Sequence, residues 1–261
     1  MTMKTNEDAT TMTTATGTDP RKPTIPRPTT MRLARVEYQR CVDMLRTLRP
    51  DDWTKPTACP DWDVRAVAAH MLGMVEMAAS IREGNRQRAA AGRRGGVLVD
   101  ALTALQVEER ADMTPQEIVD RFEARAPKAA RARRFIPAVI RRRPLPDTQL
   151  VGGREERWTV GFAIDIIFTR DPWMHRIDIV RATGAPHILT PEHDGILVAN
   201  VVDEWAQRHG QPFTLHLTGP AGGTWTVGTV GPRIETDAID FCRVLSGRDS
   251  GEGLLQTEVP F

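Results

Sequence analysis

No apolar run in this chain of 261 residues approaches the ~20 residues needed to cross a bilayer, which argues against an integral membrane protein. The first thirty residues lack the apolar core of a signal peptide; they are rich in Thr and Pro and read as a disordered tail over 1–30. Cysteine is scarce. Cys41, Cys59 and Cys242 are widely separated, odd in number and without a CxxC pair, so neither a disulfide framework nor a thiolate zinc site is suggested, and a reducing, cytoplasmic compartment is expected. Charge of one sign is also missing. A formal net charge of +1 offers no case for nucleic acid or a membrane surface as partner. The chain contains no internal repeat. What remains is an ordinary soluble composition, 40% hydrophobic and 26% charged, long enough for one large domain or two smaller ones.

Against that background a divided set of metal-ligand residue types stands out. His70 lies in the run AVAAHML, after CPDWDVR. About a hundred residues later, RDPWMHRIDIV carries Asp171, His175 and Asp178, spaced by four and then three. On a helix both spacings share a face. Two imidazoles and a carboxylate suit a divalent transition metal such as Zn²⁺, and three protein ligands leave a position open for chemistry. Each residue also has a blander reading. His70 falls on the flank of an apolar stripe (Val64, Val67, Ala68, Met71, Leu72, Val75) and could be a core-edge histidine bonded to a backbone carbonyl. Asp171 precedes Pro172, which suits a first helical position, so it could be a plain N-cap. Asp178 could replace Asp171 as ligand, or support His175.

Periodicity predicts helices over roughly 31–48, 64–82 and 97–110. Asp61 or Asp63 could cap the second. Another helix begins at Thr114, with Pro115 and Glu117 forming a capping box, and a further one contains Asp171 and His175. GNRQRAAAGRRGG reads as a loop. Between Arg121 and Arg143 there are nine basic residues and one acidic: a solvated face, or a binding face for an anion. Several striped helices favour an antiparallel bundle with an inward-facing site. After Pro186 the pattern changes to a helix capped by Thr190, a hairpin of FTLHLTG and TWTVGTV, a short helix TDAIDFCRVLSGR and an edge strand GLLQTEVPF. This is a small α+β unit over 186–261.

The segment WTKPTACPDWDVRAVAAHML resembles the N-terminal signature of the mycothiol-dependent maleylpyruvate isomerase family. Arg170-Asp171-Pro172-Trp173-Met174-His175 resembles that family's second metal segment, R-E-x-W-x-H, with Asp where Glu is usual. TDAIDFCRVLSGR with TEVPF resembles its small C-terminal domain. The resemblance implies a mainly α fold: a DinB-like antiparallel four-helix bundle over 31–185 followed by the small α+β domain. It implies His70, Asp171 and His175 as metal ligands, a divalent metal (Zn²⁺ above all), and mycothiol as cosubstrate. A metal-bound thiolate would then attack a small electrophile, as an isomerase or thiol transferase. Since the C-terminal domain helps close the site in this family, Arg243 and Arg248 become candidate catalytic residues that bind an anionic group; simple helix-end charge is the alternative. The rival readings are a DinB-like metal-binding module without turnover, or a metal-dependent hydrolase. A monomer or homodimer is expected, with no nucleic-acid or membrane partner.

Overall fold

The computed structural model describes residues 19–261. The bundle is built from α1 (Arg27–Arg46), α2 (Val64–Ala79), α5 (Pro115–Ala132) and α8 (Phe168–Thr183). Each packs against two of the others, so that α1, α5, α2 and α8 close a ring. Cys41, Leu45, Val67, Met71, Leu72, Ile118, Phe122 and Ile179 fill it. Two further helices, α3 (Ile81–Gly92) and α4 (Leu98–Glu108), pair and lean on α2. No helix among the described residues is long and apolar enough to cross a membrane.

The expected tail is shorter than 1–30. Residues 1–18 lie outside the described residues, but α1 starts at Arg27 with Pro28 in its first turn. Before it, Arg21 exchanges backbone hydrogen bonds with Arg157 and Thr159 (2.8 and 3.0 Å). The polar run after Ser80 is also not a loop. Ser80 accepts a hydrogen bond from the Glu83 N–H and caps α3, whose Ala-rich second half favours helix. At α5, Thr114 and Glu117 form the expected capping box.

Pro172 falls inside α8 rather than at its start. A short helix, α7 (Val160–Phe162), runs through a π-helical turn, Ala163–Ile167, into α8. Pro172 has no N–H for the Phe168 carbonyl one turn back. Arg133 donates to that carbonyl instead (2.6 Å), and also to Thr169 Oγ1 (2.8 Å) and the Tyr38 hydroxyl (2.5 Å). The helix therefore continues past the proline, and Asp171 is not an N-cap.

The C-terminal unit consists of α9 (Ile196–His209), β3 (Phe213–Thr218), β4 (Gly223–Val227), β5 (Arg233–Asp237) and α10 (Ala238–Leu245). Between the bundle helices lie the short α6 (Ala138–Arg141) and a ladder of β1 (Gln149–Val151) on β2 (Arg154–Glu156). β3 and β4 make the expected antiparallel hairpin; β5 pairs parallel to β3 on its other side. The expected final edge strand does not form: Gly253–Gln256 is a 3₁₀ turn, and Arg233–Asp237 occupies the sheet edge instead. Thr190 makes no side-chain cap. A π turn, Pro191–Gly195, precedes α9, with Asp194 accepting from the Thr190 N–H (2.7 Å). The core of this unit reaches back into the bundle. Trp173, Met174 and Ile177 of α8 and Leu33 of α1 pack with Trp205, Phe213, Phe241 and Leu245. Helix α8 thus serves both cores, and residues near its end can meet residues from α10.

Candidate metal centre

His70 comes from the middle of α2. Its helix is started by Asp63, whose side chain accepts from the Ala66 N–H (2.8 Å). The loop before it turns tightly at Cys59–Pro60–Asp61–Trp62. Trp62 N–H bonds Cys59 O (3.2 Å), proline precedes the sharp corner, and Asp61 takes a left-handed φ of 64° that short polar side chains tolerate. This turn lays the Trp62 ring against the imidazoles of His70 and His175, with centroids 5.2 and 6.3 Å away.

Asp171 and His175 lie one turn apart on the face of α8 that looks at α2. His70 Nε2 stands 3.2 Å from Asp171 Oδ1, and His175 Nε2 stands 3.6 Å from the same oxygen. The two imidazoles meet edge to face, 4.9 Å between centroids. Nitrogen and oxygen ligands 2.0–2.1 Å from a tetrahedral metal sit about 3.4 Å from one another, so these separations are already those of a ligand set. All three donor atoms lie within 4.8 Å of one another.

The far sides of both rings are held. Gln106 of α4 faces His70 Nδ1 with its carbonyl oxygen (2.8 Å), because its amide nitrogen donates to Gln87 Oε1 (2.9 Å). Gln87 in turn donates to Gly73 O and to Glu83. Gly73 is required there: a Cβ would sit 2.5 Å from the Gln106 side chain. His70 therefore commits Nδ1 to Gln106 and directs Nε2 at a carboxylate. His175 Nδ1 faces Asp178 Oδ2 (3.2 Å) and likewise directs Nε2 toward Asp171. The second oxygen of Asp171, Oδ2, is buried without a hydrogen-bond partner among the described residues. Two imidazole Nε2 atoms converging on a carboxylate with one orphaned oxygen form a socket that a cation can take over from the protons, and the residues fit a divalent metal.

Electrostatics point the same way. Burial alone would raise the Asp171 pKa, but the charges and hydrogen bonds of His70 and His175 hold it below the usual carboxylate range. Burial opposes a proton on His175. Its hydrogen bonds with Asp171, Asp178 and Cys59 outweigh that and push its pKa well above the ordinary imidazole value. Metal uptake at this cluster therefore displaces protons.

Asp178 does not face the ligand cluster. It is 1% exposed and sits behind His175, where Arg248 Nε donates to both its oxygens (2.8 and 2.9 Å). Burial would raise its pKa, but the His175 hydrogen bond and the Arg248 charge lower it to about 2. Of the two carboxylates left open by the sequence, the structure puts Asp171 with the histidines and Asp178 in support. Arg243 of α10 approaches the same carboxylate more loosely (Nη1–Oδ1 3.7 Å). Its buried Nε and Nη1 have no hydrogen-bond partner among the described residues. Both arginines thus arrive at the site from the C-terminal unit. Cys59 Sγ lies 3.5 Å from Asp178 Oδ2 and 3.7 Å from His175 Nδ1. That second trio suits a metal poorly, since Arg248 and His175 already engage both Asp178 oxygens. Sequence reasoning missed Gln106 and Gln87. Their only signal was a glutamine on the buried side of an otherwise striped helix.

The sequence profile described as "Mycothiol maleylpyruvate isomerase N-terminal domain" matches residues 34–180. The chain belongs to that family. No curated protein matches it. Among solved structures it is similar to "Crystal structure of the mycothiol-dependent maleylpyruvate isomerase", with TM-score 0.55 and 14% identity over 87% of this chain and 91% of that one. A histidine-to-alanine mutant of that isomerase matches with TM-score 0.52 at the same identity and coverage. At such identity these matches establish the fold, including the C-terminal unit that the family profile does not cover.

Proposed function

We propose that this family member is a metal-dependent, mycothiol-dependent isomerase or thiol transferase acting on a small, anionic electrophile. The observation that carries the reading is the convergence of His70 Nε2, His175 Nε2 and Asp171 Oδ1, with both Nδ1 positions already committed to Gln106 and Asp178. A divalent metal such as Zn²⁺ held by these three residues would supply a Lewis acid that lowers the pKa of a thiol at its open position, so that mycothiol is present as thiolate at neutral pH.

The remaining residues have definable work. Gln106 and Asp178 hold the two Nδ1 positions, so that both Nε2 lone pairs would face a metal once it displaces their protons. Arg248 holds Asp178 ionised and in place. Arg243 brings a second positive charge beside Asp178, which suits an anionic group on the substrate. Trp62 walls the histidines on one side and limits water. The chain's own cysteines are not the nucleophile in this reading. Burial pushes the thiols of Cys41 and Cys242 above their ordinary range, so both stay protonated and inert.

The test is direct. Protein with measured metal content is incubated with mycothiol and with maleylpyruvate or chlorodinitrobenzene. Turnover that requires both metal and thiol is expected. Thiol-independent turnover would point to a hydrolase, and no turnover across a broad electrophile panel would leave a metal-binding module.

A further inference from the structure

A sizeable cavity lies away from the metal centre. It is a groove of about 840 Å³ between α1 and the C-terminal end of α5. None of His70, Asp171 and His175 lines it. Five of its twelve lining residues are arginines: Arg27, Arg32 and Arg35 from α1, and Arg131 and Arg134 from α5 and the turn after it. No acidic residue lines it, and none of the five forms an ion pair among the described residues.

Arg27 spends one nitrogen on the carbonyls of Arg133, Arg134 and Ile136, and Arg32 donates to the Glu192 carbonyl (3.0 Å). These are neutral acceptors, so the positive charge stays uncompensated. Arg35, Arg131 and Arg134 are exposed and make no side-chain hydrogen bond among the described residues. In a chain with 35 basic and 34 acidic residues, random placement would have mixed the signs. Several arginines elsewhere are paired, Arg86 with Glu83 and Glu109, Arg94 with Glu108 and Arg181 with Asp240, whereas the five that share this groove are not. Like charges held on two walls of one groove repel, and an anion between them removes that repulsion.

The floor is different in kind. Ala126, Ala130 and the ring of Tyr38 are buried there, and Met31, Pro28 and Pro127 add more exposed apolar surface. A volume in the 300–1,000 Å³ range, an apolar floor and a few converging charges are the attributes of a small-molecule pocket. Guanidinium groups on opposite walls suit forked binding of phosphate or carboxylate oxygens. We propose that this groove is a second binding site, separate from the metal centre, for a small organic molecule carrying phosphate or carboxylate groups on a compact apolar or aromatic body.

The test uses the full chain and titration calorimetry with two probes: inorganic pyrophosphate, which has the charge alone, and ADP, which adds an aromatic body. Saturable 1:1 binding is expected for both, tighter for ADP. The double charge reversal Arg35→Glu/Arg131→Glu removes exposed side chains, so the fold should persist by circular dichroism. It should weaken ADP at least tenfold. Should that variant fail to fold, Arg134→Ala supplies the same reading with a smaller change and should weaken ADP about threefold. Arg88→Glu, on exposed α3 outside the groove, should leave binding unchanged. His70→Ala should also leave it unchanged, which separates the groove from phosphate chelation at the metal centre. The proposal is overturned if neither probe saturates, if His70→Ala abolishes ADP binding, or if charge reversal in the groove has no effect. It is equally overturned if duplex DNA or vesicles of anionic lipid bind the groove while the small probes fail to compete.

Discussion

Helix α8 bears buried charge on two faces. Toward α2 lie Asp171, His175 and Asp178; toward α1 and the start of α9, Arg176 joins Glu37, His193 and Asp194. In the second cluster every carboxylate oxygen is answered. Glu37 Oε1 accepts from Arg176 Nε (2.6 Å) and Oε2 faces His193 Nε2 (2.7 Å). Asp194 Oδ1 accepts from Trp173 Nε1 (2.9 Å) and Arg176 (3.1 Å), and Oδ2 from Arg40 (2.6 Å) and the Thr190 backbone (2.7 Å). In the first, one Asp171 oxygen faces two imidazole Nε2 atoms and the other has no hydrogen-bond partner among the described residues. Both clusters are built on the same helix from the same residue types. What separates a structural network from a site is how the carboxylate oxygens are met: in one cluster each has a donor, and in the other Asp171 Oδ2 has none and a cation would answer it.

That contrast can be broken from either side. The largest effect is expected at the histidines. His70→Ala and His175→Ala should each abolish stoichiometric zinc binding and thiol-dependent turnover, because each removes one of three ligands. The bundle should stay folded, since its core is apolar. Elemental analysis with circular dichroism reads both. The saturated cluster should behave oppositely. Arg176→Met strands Glu37 and Asp194 and should cost about 3–5 kcal/mol in urea unfolding, while the folded fraction keeps its metal.

Acid should also act on the same saturated cluster. Burial would raise the Glu37 pKa, but Arg176 and His193 lower it from 4.5 to about 2. A depressed folded pKa means that this contribution is present above pH 4.5 and is lost as pH falls toward 2, on the order of 3 kcal/mol in all. In metal-free protein, the urea midpoint of Glu37→Gln should therefore change less between pH 5 and pH 3 than that of the native chain. The smallest of these effects belongs to the ring supports. Gln106→Leu should weaken zinc about 10–100-fold by competition with a chromophoric chelator, without emptying the site at saturating metal.

Much of this arrangement could be read from the residues. His70, Asp171 and His175 were visible as spacings on two helices, and the Thr114–Glu117 capping box and the β3–β4 hairpin followed from local rules. The departures share a cause, which is that distant partners override local signals. Pro172 looked like a helix start because nothing nearby replaces its missing hydrogen bond; Arg133, thirty-nine residues earlier, does. The stretch after Ser80 looked like a loop because it is polar, yet its polar face is solvated while Gln87 is buried behind His70. The parallel strand β5 was hidden because its residues, RIETD, show no strong alternation. Its place is set by pairing with β3.

The central claim is that Asp171 completes a metal site with the two histidines while Asp178 only supports it. It is tested most directly by zinc affinity, measured by chelator competition on Asp171→Asn and Asp178→Asn side by side. The account predicts a loss of about 10–100-fold for Asp178→Asn and a larger one for Asp171→Asn. A greater loss for Asp178→Asn, or unchanged affinity in both, would contradict it.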